Sequence, residues 1–164
     1  MSERIETAAL RDFSVSLCRA AGLSAGDAAL LTDSILFAEC RGVTSHGLLR
    51  LPQYIARLRS GATASNVPMP FTMESGGTAR LDAQNGLGQL AGRKASAKAE
   101  ELAATYGVSF VAVANSNHFG TGAWYAIPAA QRGYFAFNIS SAASAMAPHG
   151  AAQPLLGTDP VGLA

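Results

Sequence analysis

The chain has 164 residues, of which 49% are hydrophobic and 14% charged, and its formal net charge is +1. This is a globular composition with enough residues for a core, which excludes a disordered protein. The low charge gives no basic field for nucleic acid or an anionic membrane, and the longest apolar runs are too short to cross a bilayer. The charged N-terminus, Met1–Glu6, lacks the apolar segment of a signal peptide. We therefore expect a cytoplasmic protein whose Cys18 and Cys40 are free, buried thiols outside any metal-ligand spacing.

Residues 1–61 have the pattern of a small helical subdomain. A first helix is predicted from residue 3 to about residue 20, and the side chains expected on its core face are Ile5, Leu10, Phe13 and Leu17. A second helix begins after Ser24, a predicted N-cap, with Asp27 in the capping-box position. The residues that it is expected to bury are Ala28, Leu31, Ile35 and Ala38. A third helix is predicted to end at Arg59, before a Ser-Gly pair.

Residues 62–164 alternate between strand and helix patterns, which favours an α/β layer. The predicted elements are strands at 71–74 and 79–82 joined by a hairpin turn at residues 76–77, a helix at 87–106, a strand at 108–113, a helix at 123–132 and a strand at 134–139. The apolar, β-branched run at 108–113 is typical of a strand that is buried on both faces. The last residues, 159–164, form an apolar run without a terminal helix or polar tail, so we expect a truncated chain. The predicted fold is α/β, with an N-terminal helical subdomain (1–61) followed by an incomplete, mixed α/β portion (62–164).

The glycine-rich segment 86–92 resembles a Rossmann dinucleotide fingerprint, because it follows a short strand and opens a helix. Two features argue against that motif. The preceding strand is short and charged, and the next strand ends at 114–116 without an acidic residue for the ribose hydroxyls. We therefore interpret these glycines as helix-start and packing residues, and the fold as non-Rossmann.

His118 is the leading candidate for chemistry. Its segment, Asn115–Gly122, directly follows the strand predicted at 108–113, and ligands bind most often at the carboxyl ends of strands in open α/β sheets. Histidine is the commonest acid–base residue because its pKa lies near neutrality. A turn histidine that caps the next helix is an equally good interpretation of the context alone. His149, between a proline and a glycine, is expected to be a turn residue.

His46, Arg50 and Tyr54 recur at intervals of four residues, so they share a face if the helix begins near His46. A guanidinium binds a carboxylate through two parallel hydrogen bonds, so an arginine beside a histidine suits an acidic substrate. Taken alone, the segment is also compatible with a loop and a solvated arginine.

Four segments together resemble the malate/L-lactate dehydrogenase family, in their order and spacing. They are R-G-V-T-S-H-G-L-L-R-L-P-Q-Y at 41–54, N-G-L-G-Q at 85–89, N-S-N-H-F-G at 115–120, and M-A-P-H-G at 146–150 with G-T-D-P at 157–160. The resemblance covers nearly the whole chain and is specific because the motifs occur in combination.

The resemblance implies hydride transfer between NAD or NADP and the C2 carbon of a small 2-hydroxy or 2-oxo acid, in a fold distinct from the Rossmann class. It implies that His118 takes or gives the hydroxyl proton and that His46, Arg50 and Tyr54 help to position the substrate. It also implies a cytoplasmic homodimer. The low net charge and the absence of a metal-ligand spacing separately predict no nucleic-acid or membrane partner and no metal.

The resemblance assigns cofactor contacts to Ser140, Ser141 and Asp159. Ser140 and Ser141 stand where the family often has Thr and Asn, and Asp159 stands where it usually has Asn, which adds a negative charge. The family's chains are considerably longer, so we expect this chain alone to be weakly active or inactive. A non-catalytic remnant and a small-molecule binding domain are the alternatives.

Overall fold

A computed structural model describes residues 4–164 of the chain. The chain forms two compact units, which divide between Thr121 and Gly122. The subdomain boundary predicted at residue 61 falls inside the first unit and stays a prediction. Residue 3, where the first predicted helix begins, and half of the N-terminal segment that argued against a signal peptide, residues 1–3, lie outside the described residues.

The first unit contains helices α1 (Thr7–Ala20), α2 (Ala25–Glu39), α3 (Leu51–Arg59) and α4 (Gly88–Tyr106), 3-10 turns at Thr44–His46 and Leu48–Arg50, and strands β1 (Phe71–Ser75), β2 (Thr78–Asp82) and β3 (Phe110–Ala114). The second contains helix α5 (Ala123–Gln131) and strands β4 (Phe137–Ile139) and β5 (Val161–Leu163). The predicted elements are present and the α/β class is confirmed.

Helix α2 begins where the sequence predicts. The amide of Asp27 donates to the Ser24 hydroxyl over 3.1 Å, so the N-cap is confirmed. All four residues predicted to be inward, Ala28, Leu31, Ile35 and Ala38, are buried. Ala28, Leu31 and Ile35 pack in a core with residues of α1 and α3 that include Cys18, Leu51, Tyr54 and Leu58.

The face predicted for the first helix is wrong at two positions. Ile5 precedes the helix, and both Ile5 and Phe13 are more than 60% exposed. The fully buried residues of α1 are instead Ser14 and Cys18. Ser14 can be buried because its hydroxyl donates to the Leu10 carbonyl over 2.8 Å, which satisfies its polar group within the helix.

The sheet of the first unit has the order β1-β2-β3. β1 and β2 form the predicted antiparallel hairpin, and β2 pairs in parallel with β3. Helix α4 connects β2 to β3 and packs against both strands. The prediction that 108–113 is buried on both faces is wrong, because Val108 and Phe110 are 75% and 61% exposed.

The second unit is built on a two-stranded antiparallel sheet. Phe137 lies opposite Leu163, and Ile139 lies opposite Val161. All four side chains are more than half exposed. Between them, Asn138 donates to the carbonyl of Gly122, which precedes α5, over 3.1 Å, and α5 packs against both strands.

Within residues 4–164, none of the helices combines the length and apolar character that a bilayer span requires. The same part of the chain contains no cluster of three or more His, Cys, Asp or Glu side chains able to hold a metal ion. Both cysteines are free, as predicted, but only Cys18 is buried; Cys40 is exposed because it caps the end of α2.

Candidate active site

The loop that carries His118 is fixed by the side chain of the residue before it. Asn117 donates through Nδ2 to the carbonyls of Asn85 and Gly86 over 2.9 and 3.0 Å, and to Asn85 Oδ1 over 3.0 Å. Its Oδ1 accepts from Arg57 Nη2 over 2.8 Å. Both ends of the amide are therefore used, and the loop is held to the segment before α4 and to helix α3. This fixed support suits a residue whose ring must keep one orientation.

Gly88, the first residue of α4, lets the same loop approach the helix closely. A Cβ built at this position would overlap the carbonyl oxygens of Asn117 and His118, the latter at 2.6 Å. Since both obstacles are backbone atoms, no side-chain movement relieves the overlap. The interpretation of Gly88 as a packing glycine agrees with this geometry.

One nitrogen of His118 is bound and the other is not. Tyr54 Oη lies 2.7 Å from His118 Nδ1. Gln89 Nε2 in turn donates to Tyr54 Oη over 2.7 Å. Tyr54 is 4% exposed and Gln89 fully buried, whereas His118 reaches the protein surface. Within the described part of the chain, Nε2 of His118 has no hydrogen-bond partner, so it is the nitrogen available to a ligand.

His46 packs directly on His118. The two rings are stacked, with centroids 5.4 Å apart and planes inclined by 28°. The Ser45 hydroxyl lies 2.9 Å from His46 Nδ1. The structure therefore brings together two histidines that are 72 positions apart in the sequence, as 118 − 46 gives.

The turn that presents His46 depends on Gly47 and Glu39. The Glu39 carboxylate accepts from the amide of Leu48 over 2.8 Å, at the end of α2. A Cβ on Gly47 would overlap that carboxylate and lie 3.2 Å from the Cα of Glu39. The second glycine of the R-G-x-x-S-H-G motif is thus required by close packing.

Arg50 lies beside the histidine pair in a half-buried position. Its Nε donates to the Ser45 carbonyl over 2.8 Å and its Nη1 to Gln53 Oε1 over 3.0 Å. No other hydrogen bond of the guanidinium is found among residues 4–164, which leaves Nη2 for an anionic ligand.

The electrostatics favour uncharged rings. Desolvation, then the proximity of His46 and the positive charge of Arg50, lowers the pKa of His118 to about 4. Desolvation and then Arg50 lower the pKa of His46 as well. Burial raises the pKa of Tyr54 to about 12, against the opposing effects of the Gln89 hydrogen bond and Arg50. Near neutral pH the site therefore holds two neutral imidazoles, a protonated phenol and one guanidinium.

The residues predicted to contact a cofactor all lie in the second unit. The Ser140 hydroxyl donates to the Ser141 carbonyl over 3.2 Å, and Ser141 is exposed. One carboxylate oxygen of Asp159 accepts from the amide of Ala142 over 2.8 Å. His149 lies in a turn, as predicted, in which the Ala151 amide donates to the Pro148 carbonyl over 3.0 Å.

Sequence reasoning missed Gln89 and Asn117. Gln89 lies in the N-G-L-G-Q segment and Asn117 in N-S-N-H-F-G, so both fall inside motifs that the sequence had singled out. A buried glutamine beside a tyrosine is a contact between residues 35 positions apart, and no local pattern announces it.

The arrangement combines an accessible imidazole nitrogen, a second imidazole against the same ring, and a guanidinium with a free donor. Such a set can exchange a proton with a hydroxyl or carbonyl oxygen while it binds a carboxylate.

Comparisons with known proteins identify relatives of this chain. A family model described as malate/L-lactate dehydrogenase matches residues 5–164. Malate dehydrogenase of Pyrococcus abyssi is 35% identical over 161 residues, which are 98% of this chain and 44% of that protein. L-sulfolactate dehydrogenase of Methanocaldococcus jannaschii is 37% identical over 143 residues, 87% of this chain and 42% of that protein.

A solved structure of malate dehydrogenase from Pyrococcus horikoshii OT3 superposes with a TM-score of 0.94 and 31% identity, over 98% of this chain and 46% of the other. The chain thus spans a little under half the length of the curated relatives described above. The match over nearly every residue shows that the chain belongs to the malate/L-lactate dehydrogenase family.

Proposed function

We propose that this chain supplies the acid–base and substrate-binding part of an NAD(P)-dependent oxidoreductase that acts on a small 2-hydroxy or 2-oxo acid. The observation that carries the proposal is the hydrogen bond of 2.7 Å between Tyr54 Oη and His118 Nδ1, which leaves Nε2 as the free nitrogen. Family membership supports the same reaction class.

In this proposal His118 Nε2 exchanges the proton of the substrate oxygen. A neutral ring that carries its proton on Nε2 can give it to the carbonyl oxygen as a 2-oxo acid is reduced, and a neutral ring that is bare at Nε2 can accept a proton from an alcohol in the reverse direction. Stacking on His46 limits the orientations open to the ring, and Asn117 holds its backbone. When bound, the nicotinamide supplies the hydride chemistry at the neighbouring carbon.

Arg50 is proposed to bind the carboxylate of the substrate. Its Nη2 is free, and its charge already acts on both His46 and His118. A bound carboxylate would offset that charge, so substrate binding is expected to raise the pKa of His118 towards the ordinary value of histidine. His46 is proposed to contact the same end of the substrate.

Ser140, Ser141 and Asp159 are proposed to contact the nicotinamide cofactor. Their chemistry, two hydroxyls and a carboxylate, fits the carboxamide or the ribose hydroxyls, since none of the three carries the positive charge that a pyrophosphate prefers. Asp159 keeps acceptor capacity beyond its bond from Ala142. Comparing turnover with NADH and with NADPH measures which of the two cofactors is used.

The resemblance also leads us to propose a cytoplasmic homodimer. Two free thiols, Cys18 and Cys40, support a reducing compartment. The apolar side chains exposed on the second unit support association with another chain. Light scattering after size exclusion measures the oligomeric state directly, and a monomer over the whole concentration range would contradict the dimer.

The test is oxidation of NADH and NADPH with a panel of 2-oxo acids and cyclic imines. One sample is the chain alone. The other is the chain co-expressed with the part of the Pyrococcus horikoshii malate dehydrogenase that this chain does not match, and each sample has a His118→Ala control. We expect turnover only in the complemented protein, and its loss in the control. Absence of turnover in both, with folded protein, would overturn the enzyme proposal in favour of a binding domain or a remnant.

A further inference from the structure

Gln89 is a buried residue whose amide makes one hydrogen bond among the described residues. It is fully buried in the first turn of α4, and its Nε2 donates to Tyr54 Oη over 2.7 Å. Its Oε1 is buried without a hydrogen-bond partner among residues 4–164. Burying an unpaired carbonyl oxygen is unfavourable, and a leucine or methionine would fill this space without that cost. The amide therefore has a purpose other than packing, and the residue it contacts is Tyr54.

The hydrogen bond from Gln89 to Tyr54 sets the direction of the hydrogen bond between Tyr54 and His118. Since Gln89 Nε2 gives its proton to Tyr54 Oη, one lone pair of the phenol is occupied. The phenol proton then points to the other neighbour of the oxygen, His118 Nδ1, at 2.7 Å. A nitrogen that accepts a hydrogen bond carries no proton, so in the neutral ring the proton is on Nε2.

We infer that Gln89, Tyr54 and His118 form a proton relay, in which the Gln89 amide directs the Tyr54 hydroxyl at His118 Nδ1 and so holds the neutral imidazole as its Nε2–H tautomer. The inference rests on the proposed function for its chemical use, whereas the hydrogen-bond order is inferred from the two contacts of Tyr54 Oη. It moves Tyr54 from the substrate-contact role predicted from the sequence to a positioning role behind His118.

The relay gives the site a proton donor for the reductive direction. When a 2-oxo acid is reduced, the substrate oxygen must gain one proton. His118 Nε2 gives its proton to that oxygen while Tyr54 gives its own to Nδ1, so the ring stays neutral and Tyr54 becomes a phenolate. Gln89 Nε2–H then donates to the phenolate. A solvent proton that enters at Nε2 and a transfer from Nδ1 back to Tyr54 restore the starting state.

The relay explains how the site can donate a proton although the His118 ring is uncharged near pH 7. Near pH 7 a ring whose pKa is about 4 is almost entirely uncharged, so an imidazolium is scarcely available as a donor. A phenol whose pKa is about 12 is still more acidic than an alcohol, so it can supply the proton. The charged or titratable groups around His118 are His46, Arg50 and Tyr54.

The test measures the tautomer by NMR of ring-nitrogen-labelled histidine in the unliganded chain, slightly above neutral pH. The chain has three histidines, so His118→Ala identifies the relevant signals. We expect a protonated Nε2 and a bare Nδ1 for His118. A ring with its proton on Nδ1 would overturn the relay at once, whether or not any variant folds.

Gln89→Glu is the sharpest variant, because it keeps the shape and reverses the hydrogen-bond direction. An ionised carboxylate can only accept, so the Tyr54 proton turns towards it and His118 donates from Nδ1. We expect the tautomer to switch to Nδ1–H above the pH at which the carboxylate ionises. The exposed Gln131→Glu is the matched control and should leave the tautomer unchanged. An unchanged tautomer in folded Gln89→Glu would contradict the inference.

Tyr54→Phe removes the hydroxyl and is expected to leave His118 with a mixture of tautomers. Tyr106→Phe, at an exposed position, is its control. In a turnover-competent protein, Tyr54→Phe should lower kcat for reduction about 10²-fold with KM nearly unchanged. If the complemented protein turns over but His118 carries its proton on Nδ1, the relay is wrong and the proposed function stands. If His118 carries its proton on Nε2 but no form of the protein turns over, the proposed function is wrong and the relay geometry is supported.

Discussion

The two compact units of this chain differ in how much of their apolar surface they bury. The first unit encloses a core between α1, α2 and α3 and a second cluster between α4 and its sheet. In the second unit the buried hydrophobic residues are all on α5, namely Tyr125, Ala126 and Ala129. Its large exposed apolar residues are Phe135, Phe137, Ile139, Met146, Leu155, Leu156, Val161 and Leu163.

This difference separates a self-supported site from a surface that depends on further contacts. A two-stranded sheet has one helix to cover it and is marginally stable by itself. The histidine pair, Tyr54 and Arg50 all lie in the first unit, where the core and several side-chain hydrogen bonds fix them. We therefore expect changes in the first unit to act on chemistry and stability, and changes in the second to act on association and cofactor affinity.

The largest contrast is expected in turnover. In the complemented protein, His118→Ala should lower kcat by about 10²- to 10⁴-fold, since it removes the proposed acid–base group. Ser141→Ala in the second unit should raise KM for the nucleotide by several-fold, because it removes about one weak hydrogen bond to the cofactor. It should change kcat by no more than about twofold. Steady-state kinetics of both variants provide the check. Equal losses of kcat would erase the distinction between the units.

Gly88→Ala tests how tightly the first unit packs around its site. We expect a loss of about 3 kcal/mol in the free energy of unfolding, because the new Cβ meets two carbonyl oxygens. At Gly162 in the second unit the obstacle is the Asn138 side chain, with Oδ1 at 2.6 Å, which can rotate away if it gives up its hydrogen bond to the Gly122 carbonyl. We expect a loss of about 1 kcal/mol there.

Gly26→Ala is the control for both glycine variants, because nothing lies within 4 Å of its Cβ position in α2. It should be neutral or slightly stabilising. Urea unfolding, followed separately for each unit by hydrogen exchange, measures the three variants. A Gly88→Ala protein as stable as Gly26→Ala would mean that the His118 loop yields more easily than its backbone contacts indicate.

The exposed face of the second unit should dominate self-association. Replacing the facing pair Phe137 and Leu163 by serine is expected to lower the binding of an apolar dye and the aggregated fraction several-fold, since large exposed apolar patches drive association. Val108→Ser removes a more exposed residue of the first unit and should have little effect. If the two changes lower association equally, the apolar face is not the cause.

The smallest effect is expected in the dependence of stability on pH. The pKa of His118 is about 4 when folded and 6.5 when unfolded, so between these values the unfolded chain binds more protons. The free energy of unfolding should therefore fall as the pH decreases from about 6.5 to about 4. Below about pH 4 the contribution of His118 should not change further. Because His118 reaches the surface, we expect less than about 1 kcal/mol. His118→Asn should flatten that part of the unfolding profile, and a profile identical to the parent would contradict the shift.

Local patterns predicted the parts of the structure that local interactions create. The Ser24 cap, the hairpin of β1 and β2, and the end of α4 at Gly107, which has φ of +81°, depend on a few adjacent residues. The buried stripe of α2 follows from helical periodicity. The candidate loop of His118 and the segment with His46 and Arg50 were found because their residue types, order and spacing resemble a family.

Periodicity failed where burial depends on which elements happen to be neighbours. It assigned Phe13 to the core, yet the face of α1 that packs inward carries Ser14 and Cys18. It assigned residues 108–113 to a strand covered on both sides, yet β3 has a strand on one edge and exposes Phe110. A sequence shows how apolar a segment is, but not whether another element covers it.

The sequence by itself determined the order of helices and strands as far as β4, the cap of α2 and the hairpin turn, and the identity of the residues suited to proton exchange and carboxylate binding. Only the tertiary structure decided that His46 stacks on His118, that Tyr54 binds Nδ1, and that Gln89 lies behind Tyr54. The physical reason is that capping and periodicity act between residues a few positions apart. The hydrogen-bond order at a ring nitrogen instead depends on side chains 35 and 64 positions apart, which only packing brings together.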